Sequence, residues 1–194
     1  MANTDNPHGF APAMHLYGGG NAFPLWEVLI KSNHTFAYGD AVYASAGYAR
    51  NAVTGDKAVL GVCACRTAFS VAGLVGLRTS TTAGSGTAAS PRPKILYWPA
   101  LDGYLFTGQC SGTTTVSIGL PFHLVDIEGA AANSTGTSNQ EINEDATSNK
   151  NVYVVGFKGN TSAPGAYAEV LFSWAKTKFS ARGNTAQSNT LIGS

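Results

Sequence analysis

The sequence predicts an all-β protein, an antiparallel β-barrel or sandwich with an extended N-terminal arm and a flexible C-terminal tail. Short apolar segments with the two-residue period of strands recur roughly every ten to fifteen residues. Clusters of Gly, Pro, Asn and Asp separate these segments, as expected for turns. No segment with helical period and helix caps interrupts them, so the pattern is typical of a domain built from strands alone.

The longest strands are predicted in a hairpin between residues 151 and 178. In its first strand Val152 and Val154 point to one face and Tyr153 points to the other, and we expect both faces to be covered. In the second strand, which ends at Trp174, large apolar residues alternate with more polar ones. One face of that strand is therefore predicted to pack inward and the other to be partly solvated.

A single β-domain is predicted over residues 25–179, and the hairpin is its core. Before the hairpin, strands are predicted at residues 26–31, 41–46, 58–65, 94–98, 104–109, 113–118, 122–127 and 140–146, the last as an edge strand. The small and polar run at 79–93 predicts a flexible loop within this domain. The polar tail at 180–194 is expected to be disordered unless a partner holds it.

The N-terminal arm, residues 1–24, contains three prolines and a run of three glycines, so regular structure is not expected to extend far along it. The arm also carries large apolar side chains, which a solvated tail has little reason to hold. We expect these side chains and one from the first strand to contact the same domain or a neighbouring molecule. They are Pro7, Phe10, Met14, Leu16, Tyr17, Phe23 and Trp26.

The composition argues against binding to nucleic acid or to a membrane. Charged residues make up 12% of the chain and the formal net charge is +1, so there is no basic excess to attract anionic partners. A surface so poor in charge favours a component of an assembly, in which partners cover it. The first residues lack the basic start and apolar run of a secretion signal, and cytoplasmic synthesis is expected.

No metal or cofactor is predicted. The odd number of cysteines is typical of a reducing compartment, and Cys63 and Cys65 are interpreted as buried thiols. Cys110 has no further ligand at a spacing typical of zinc sites. The four histidines form none of the common metal or catalytic patterns and are interpreted as surface or loop residues.

Acidic residues offer the main candidates for catalysis. Glu141, Glu144 and Asp145, or Asp126 with Glu128, are residue types that a glycosidase uses as its acid and base. Nothing in the sequence sets their separation, and acids clustered on a polar segment usually form a solvated face. We therefore predict that the protein is not an enzyme.

Several short sequences occur in an order that resembles one family of structural proteins. They are NPHGFAP at residues 6–12, GG at 18–19, GDAV at 39–42, GV at 61–62, IG at 118–119, STGTS at 134–138 and PGAYA at 164–168. In this succession the chain resembles the capsid decoration, or cement, proteins of tailed bacteriophages, which are encoded beside the major capsid protein. The resemblance covers most of residues 3–179, and the chain departs from the family pattern at residues 66–93 and after residue 179.

The resemblance implies a non-catalytic β-barrel or sandwich protein that forms homotrimers. Such a protein binds the major capsid protein on the outer surface of an icosahedral head and stabilises contacts between capsomers. It is made in the host cytoplasm and resides in the virion. On this hypothesis residues 10–23 lie on the capsid or on a sister subunit, and deletion of residues 2–22 is expected to abolish shell binding and leave the fold intact.

A carbohydrate- or receptor-binding domain of the head-fibre type is the alternative. Tyr97, Trp98 and Tyr104 would then form a platform on which sugar rings stack. Aromatic residues of this kind more often belong to a core or an interface.

Overall fold

A computed structural model gives the structure of the protein. It describes residues 6–16, 22–31, 34–56, 58–65, 78–80, 94–112, 123–129, 137–143, 151–158, 167–175, 177 and 179. Every regular element within these residues is a β-strand, which confirms the predicted all-β class.

Two antiparallel sheets contain most of the strands, which are numbered along the chain. Sheet I consists, in spatial order, of β1 (Ala11–His15), β9 (Tyr104–Gln109), β13 (Glu169–Trp174), β12 (Val152–Phe157), β10 (His123–Glu128) and β11 (Glu141–Asn143). Sheet II consists of β2 (Trp26–Leu29), β8 (Lys94–Pro99), β6 (Val59–Cys63), β4 (Ala41–Ser45) and β5 (Tyr48–Asn51). A separate pair joins β3 (His34–Phe36) to β7 (Arg78–Ser80).

The two sheets pack against each other and enclose the larger of two hydrophobic cores. Sheet I contributes an aromatic group that includes Phe106, Phe172 and Trp174, and sheet II contributes Val59 and Val62. This face-to-face packing is that of a β-sandwich.

A second core lies on the opposite face of sheet II. It contains Ile30, Phe36, Leu60, Cys63 and Ile95 together with neighbouring apolar side chains. All five residues of β6 are buried, because this strand has a core on each of its faces.

Each sheet coils until strands from its two sides meet. In sheet II a bridge joins Ile30, just after β2, to Ala49 of β5, and the Lys31 N–H donates to the Ala49 carbonyl at 2.7 Å. In sheet I the Ser111 N–H donates to the Ile142 carbonyl at 3.0 Å, which brings the end of β9 to β11. The coiling gives the sandwich some of the character of a barrel.

The predicted hairpin is present as β12 and β13, which pair from Val152 opposite Trp174 to Phe157 opposite Val170. Its inward face is buried as expected. The prediction that both faces of β12 are covered is wrong, since Tyr153 is 37% exposed. Sheet I packs on sheet II through one face only, and its other face meets solvent at this position.

The N-terminal residues differ from the expected arm. Ala11–His15 form β1, which pairs antiparallel with β9 and carries a register shift between Pro12 and Met14. Pro12 is tolerated because β1 lies at the edge of sheet I, where a missing N–H breaks no central ladder. Residues 10–15 thus belong to the β-domain itself.

Most predicted strands appear within two or three residues of their expected bounds, and β11 is an edge strand as predicted. The predicted loop at 79–93 is wrong at residues 79 and 80, which belong to β7 and pair with β3. The rest of that loop, the predicted strand at 113–118 and the tail at 180–194 lie outside the described residues. The predictions omitted β5, which follows β4 after a two-residue turn. Ala46 and Gly47 form that turn with φ of 50° and 83°, and Ala in such a position gives little sequence signal.

Candidate functional site

The seven candidate contact residues occupy different environments. Phe10 is fully buried in the large core, where its ring centroid lies 5.3 Å from that of Phe172 and 5.7 Å from that of Trp174. Its N–H donates to the Gly39 carbonyl at 2.9 Å. Phe10 therefore offers no surface to a capsid or a sister subunit, and the prediction that it is a contact residue is wrong.

Phe23 and Pro7 are half-buried, and Tyr17 lies outside the described residues. The Phe23 ring packs edge-on against Tyr104 at a centroid distance of 4.8 Å, and the His15 ring also contacts that tyrosine at 4.6 Å. This row of rings connects the end of β1 to the segment that enters β2. These ring contacts hold β1, at the edge of sheet I, next to the start of β2, at the edge of sheet II.

The other three candidates, Met14, Leu16 and Trp26, are exposed. Seven large hydrophobic residues are exposed in the part of the chain that the structure describes, and five of them lie on β1, β2 or β8 or directly beside these strands. We call these five residues the apolar edge. They are Met14 (41% exposed), Leu16 (53%), Leu25 (52%), Trp26 (39%) and Leu96 (39%).

The sequence analysis missed Leu25 and Leu96 as contact candidates. Leu25 was visible as an apolar residue beside Trp26 on a strand that already had one apolar face. Leu96 had no such signal, because Ile95, Leu96 and Tyr97 are all apolar and do not alternate with polar residues. Only the position of β8 next to the edge strand β2 leaves Leu96 exposed.

Cross-strand contacts hold the apolar edge in place. Trp26 lies opposite Tyr97 in the β2–β8 pair, and its ring also packs against Phe179 at 5.0 Å. Glu27 lies opposite Leu96 and forms a 2.9 Å ion pair with Lys94. Both charged side chains are well exposed, so this pair contributes little stability. Successive residues of a strand point to opposite faces, so Trp26 lies on the face of Tyr97 and the second core, whereas Leu96 lies on the face of Glu27.

The three aromatic residues of the sugar-platform alternative do not come together. Tyr97 is buried in the second core, whereas its neighbour Trp98 points to the opposite face of β8 and packs against Tyr38 at 5.5 Å. Tyr104 is in the row of rings with Phe23. The described residues therefore give these three rings no shared exposed face.

Asp126 is a structural residue in this arrangement. Its side chain accepts hydrogen bonds from the N–H groups of Gly55 and Ile127, both at 2.9 Å, and from Asn151 Nδ2 at 3.2 Å. Burial raises the pKa of Asp126, although these hydrogen bonds oppose the shift. The carboxylate links the 53–56 turn, which follows β5 of sheet II, to β10 of sheet I. It is fully buried, so a substrate cannot reach it.

Two other acidic candidates lie on the paired strands β10 and β11. Glu128 lies directly opposite Glu141 in the β10–β11 register, and both side chains are half-buried. Glu144 and Asp145 lie outside the described residues.

The same turn carries a second buried acid. Asp56 accepts a hydrogen bond from Arg50 Nη1 at 2.8 Å and another from the Val53 N–H at 2.8 Å. The Arg50 guanidinium also lies 4.2 Å from the centre of the Tyr43 ring. These contacts fix the shape of the turn that Asp126 holds.

All three cysteines are buried, and none of them forms a disulfide bond. A hydrogen bond with Cys65 and burial together raise the pKa of the Cys63 thiol well above its usual value. Among the described residues, no group of three or more His, Cys, Asp or Glu side chains lies close enough to hold a metal ion. No helix in that part of the chain has the length and apolarity needed to cross a bilayer.

Comparisons with protein-family models, with curated proteins and with solved structures gave no match.

Proposed function

We propose that this protein is a structural virion protein that binds the outer surface of an icosahedral phage head. It binds the major capsid protein and stabilises contacts between capsomers without catalysing a reaction. The apolar edge carries this proposal, since it gives a charge-poor domain exposed large hydrophobic residues on or beside β1, β2 and β8 that a partner would cover. The ordered succession of family-like sequences supports the choice of partner.

Binding to an assembled shell would stabilise the shell without any chemical reaction. A protein that binds only the expanded shell stabilises that state by mass action. Many copies on a symmetric lattice gain further from multivalency, so a modest apolar contact per copy suffices. Such a contact needs a few exposed large side chains, and Leu25 and Leu96 are residues of this kind.

The apolar edge is tested with the double variant Leu25→Glu/Leu96→Glu. We expect its binding to expanded, undecorated heads to fall at least about tenfold, because two carboxylates would be desolvated at the contact. Co-sedimentation with heads over a concentration series measures this binding. Both leucines are already exposed, so the circular dichroism spectrum and the thermal midpoint should change little.

Val53→Glu is the matched control, because Val53 is 51% exposed on a turn away from the apolar edge. It should bind heads like the wild type. Wild-type affinity in the double variant would reject the apolar edge as the binding surface. Failure of the wild-type protein to bind heads at all would reject the proposed function.

We further propose that the protein acts as a homotrimer. Light scattering across a dilution series should give a mass close to three times the 20.0 kDa chain. A monomer at all concentrations would exclude a preassembled trimer and leave trimer formation on the shell as the mechanism to examine.

A further inference from the structure

Asp40 lies where three parts of the chain are joined. The backbone on either side of it is bonded to the N-terminal segment through Phe10 N–H to Gly39 O at 2.9 Å, and to β6 through Cys63 N–H to Asp40 O at 2.8 Å. The Ser138 N–H donates to the Tyr38 carbonyl at 2.9 Å and brings in the segment before β11. The region from residue 37 to residue 41 thus connects sheet II to sheet I.

Gln140 completes this junction from the side of sheet I. Its Oε1 accepts a hydrogen bond from the Ala41 N–H at 2.6 Å, and its Nε2 donates to the Ala52 carbonyl at 2.7 Å. A single buried side chain therefore satisfies two backbone groups of sheet II. We call the contacts among residues 37–41 and 138–140 the Asp40 joint.

The Asp40 carboxyl group is fully buried within this joint. One oxygen, Oδ2, accepts hydrogen bonds from the Ala37 N–H at 2.7 Å and from Asn51 Nδ2 at 3.0 Å. The other oxygen, Oδ1, is buried and accepts none from the described residues. The Asp126 carboxylate, in contrast, has a donor for each oxygen.

The groups that face the Asp40 carboxyl are uncharged. They are Asn51 of β5, Ser138 before β11 and the Cys63 thiol of β6, whose own pKa is raised. Burial raises the pKa of Asp40 to about 6, although the hydrogen bonds from Ala37 and Asn51 and the nearby Ser138 side chain oppose the shift. A proton on Oδ1 breaks none of the observed hydrogen bonds, whereas the anion leaves an unpartnered charged oxygen in the interior.

We propose that Asp40 links the two sheets in a pH-dependent way. Its carboxyl group holds a proton in weakly acidic solution, and its ionisation weakens the contacts of the Asp40 joint. The proton passes to bulk solvent, and no other covalent bond is made or broken. This proposal does not depend on the function in the virion.

The expected pH dependence follows from the two states of the chain. In the unfolded chain Asp40 ionises near its ordinary pKa of 3.8, and in the folded domain near 6. Between these values the folded state binds more protons, so stability falls as the pH rises through this window. Relative to an Asp40→Asn variant, the folding equilibrium constant of the wild type should fall roughly a hundredfold between pH 4 and pH 8.

Urea unfolding of the wild type and of Asp40→Asn across this pH range tests the proposal. Asp102→Asn removes an exposed carboxylate and is the matched control, expected to follow the wild-type pH dependence. Hydrogen exchange should show that the amides of Ala37 and Ala41 lose more protection between pH 5 and pH 8 than those of β12. Parallel pH profiles for wild type and Asp40→Asn, or equal loss of protection in both regions, would overturn the proposal.

A direct titration keeps the test decisive if Asp40→Asn does not fold. The carbon-13 resonance of the Asp40 carboxyl in the wild-type protein should titrate with a midpoint near 6. A midpoint near 4 would show that Asp40 is ionised throughout the weakly acidic range and would also overturn the proposal.

Discussion

Replacing Phe10 with Ala should lower the free energy of unfolding by about 3 to 5 kcal/mol, the usual range for a fully buried phenylalanine. The ring is in edge contact with Phe172 and Trp174 and lies over Gly108, where an added Cβ would come within 2.6 Å of it. Surrounding strands hold these neighbours, so the cavity cannot close easily. Urea unfolding followed by far-ultraviolet circular dichroism measures the loss.

Tyr153→Ala is the control for this variant, because it also removes an aromatic side chain from sheet I. Tyr153 is 37% exposed, and its loss should change stability by less than about 1 kcal/mol. Equal losses in the two variants would contradict the assignment of Phe10 to the core.

The role of Phe10 also changes the outcome expected for a deletion of residues 2–22. Such a deletion removes β1 and the Phe10 ring together, so it should destabilise the domain rather than leave it intact. A loss of head binding in the deletion variant would then report unfolding. Point changes in the apolar edge, which leave the core untouched, separate binding from stability.

Replacing Gly61 with Ala should destabilise the domain on the order of 3 kcal/mol, the upper part of the usual range for overpacking. A Cβ at this position would lie 2.0 Å from the Trp98 carbonyl oxygen and 2.9 Å from Pro99 Cα. Both atoms belong to the backbone of the neighbouring strand β8 and cannot rotate away as a side chain would. The β6–β8 pair must therefore separate locally and lose hydrogen bonds.

Gly156→Ala provides the comparison for Gly61→Ala, because a Cβ at Gly156 of β12 would meet nothing within 4 Å. It should leave the thermal midpoint within a few degrees of the wild type, as expected for a free energy change below about 1 kcal/mol. A similar fall in both variants would show that the loss of stability at Gly61 does not come from close contact with β8.

The strands were predictable where side-chain alternation and turn residues agree. β13 follows from the period of two, since a strand with one buried face needs that pattern. The apolar composition of β6 indicated a strand, but the sequence did not show that a second core covers its other face. Whether a strand face is buried depends on which other strands pack against it, and the residue pattern of one strand does not contain that information.

The N-terminal segment shows why the candidate site was only partly predictable. Its prolines and glycines argued against regular structure, yet an edge position tolerates Pro12 and the Phe10 ring anchors the segment in the core. The expectation that its large apolar side chains dock was sound for Phe10 and Phe23, which pack on the same domain. The apolar residues that remain exposed lie mostly near sheet edges. The position of a strand in its sheet depends on the whole topology and cannot be read from its own residues.

The pairing of β1 with β9 has a consequence for how the chain reaches its native state. Thr107 of β9 lies 96 residues after Ala11, and Phe10 meets Trp174 only when almost the whole domain has been synthesised. Contacts between residues so distant in sequence slow folding, because the entropy of closing the intervening loop is lost before the contact forms. Of the described strands, β1 is made before all others, yet the core that contains Phe10 is complete only after translation has passed β13.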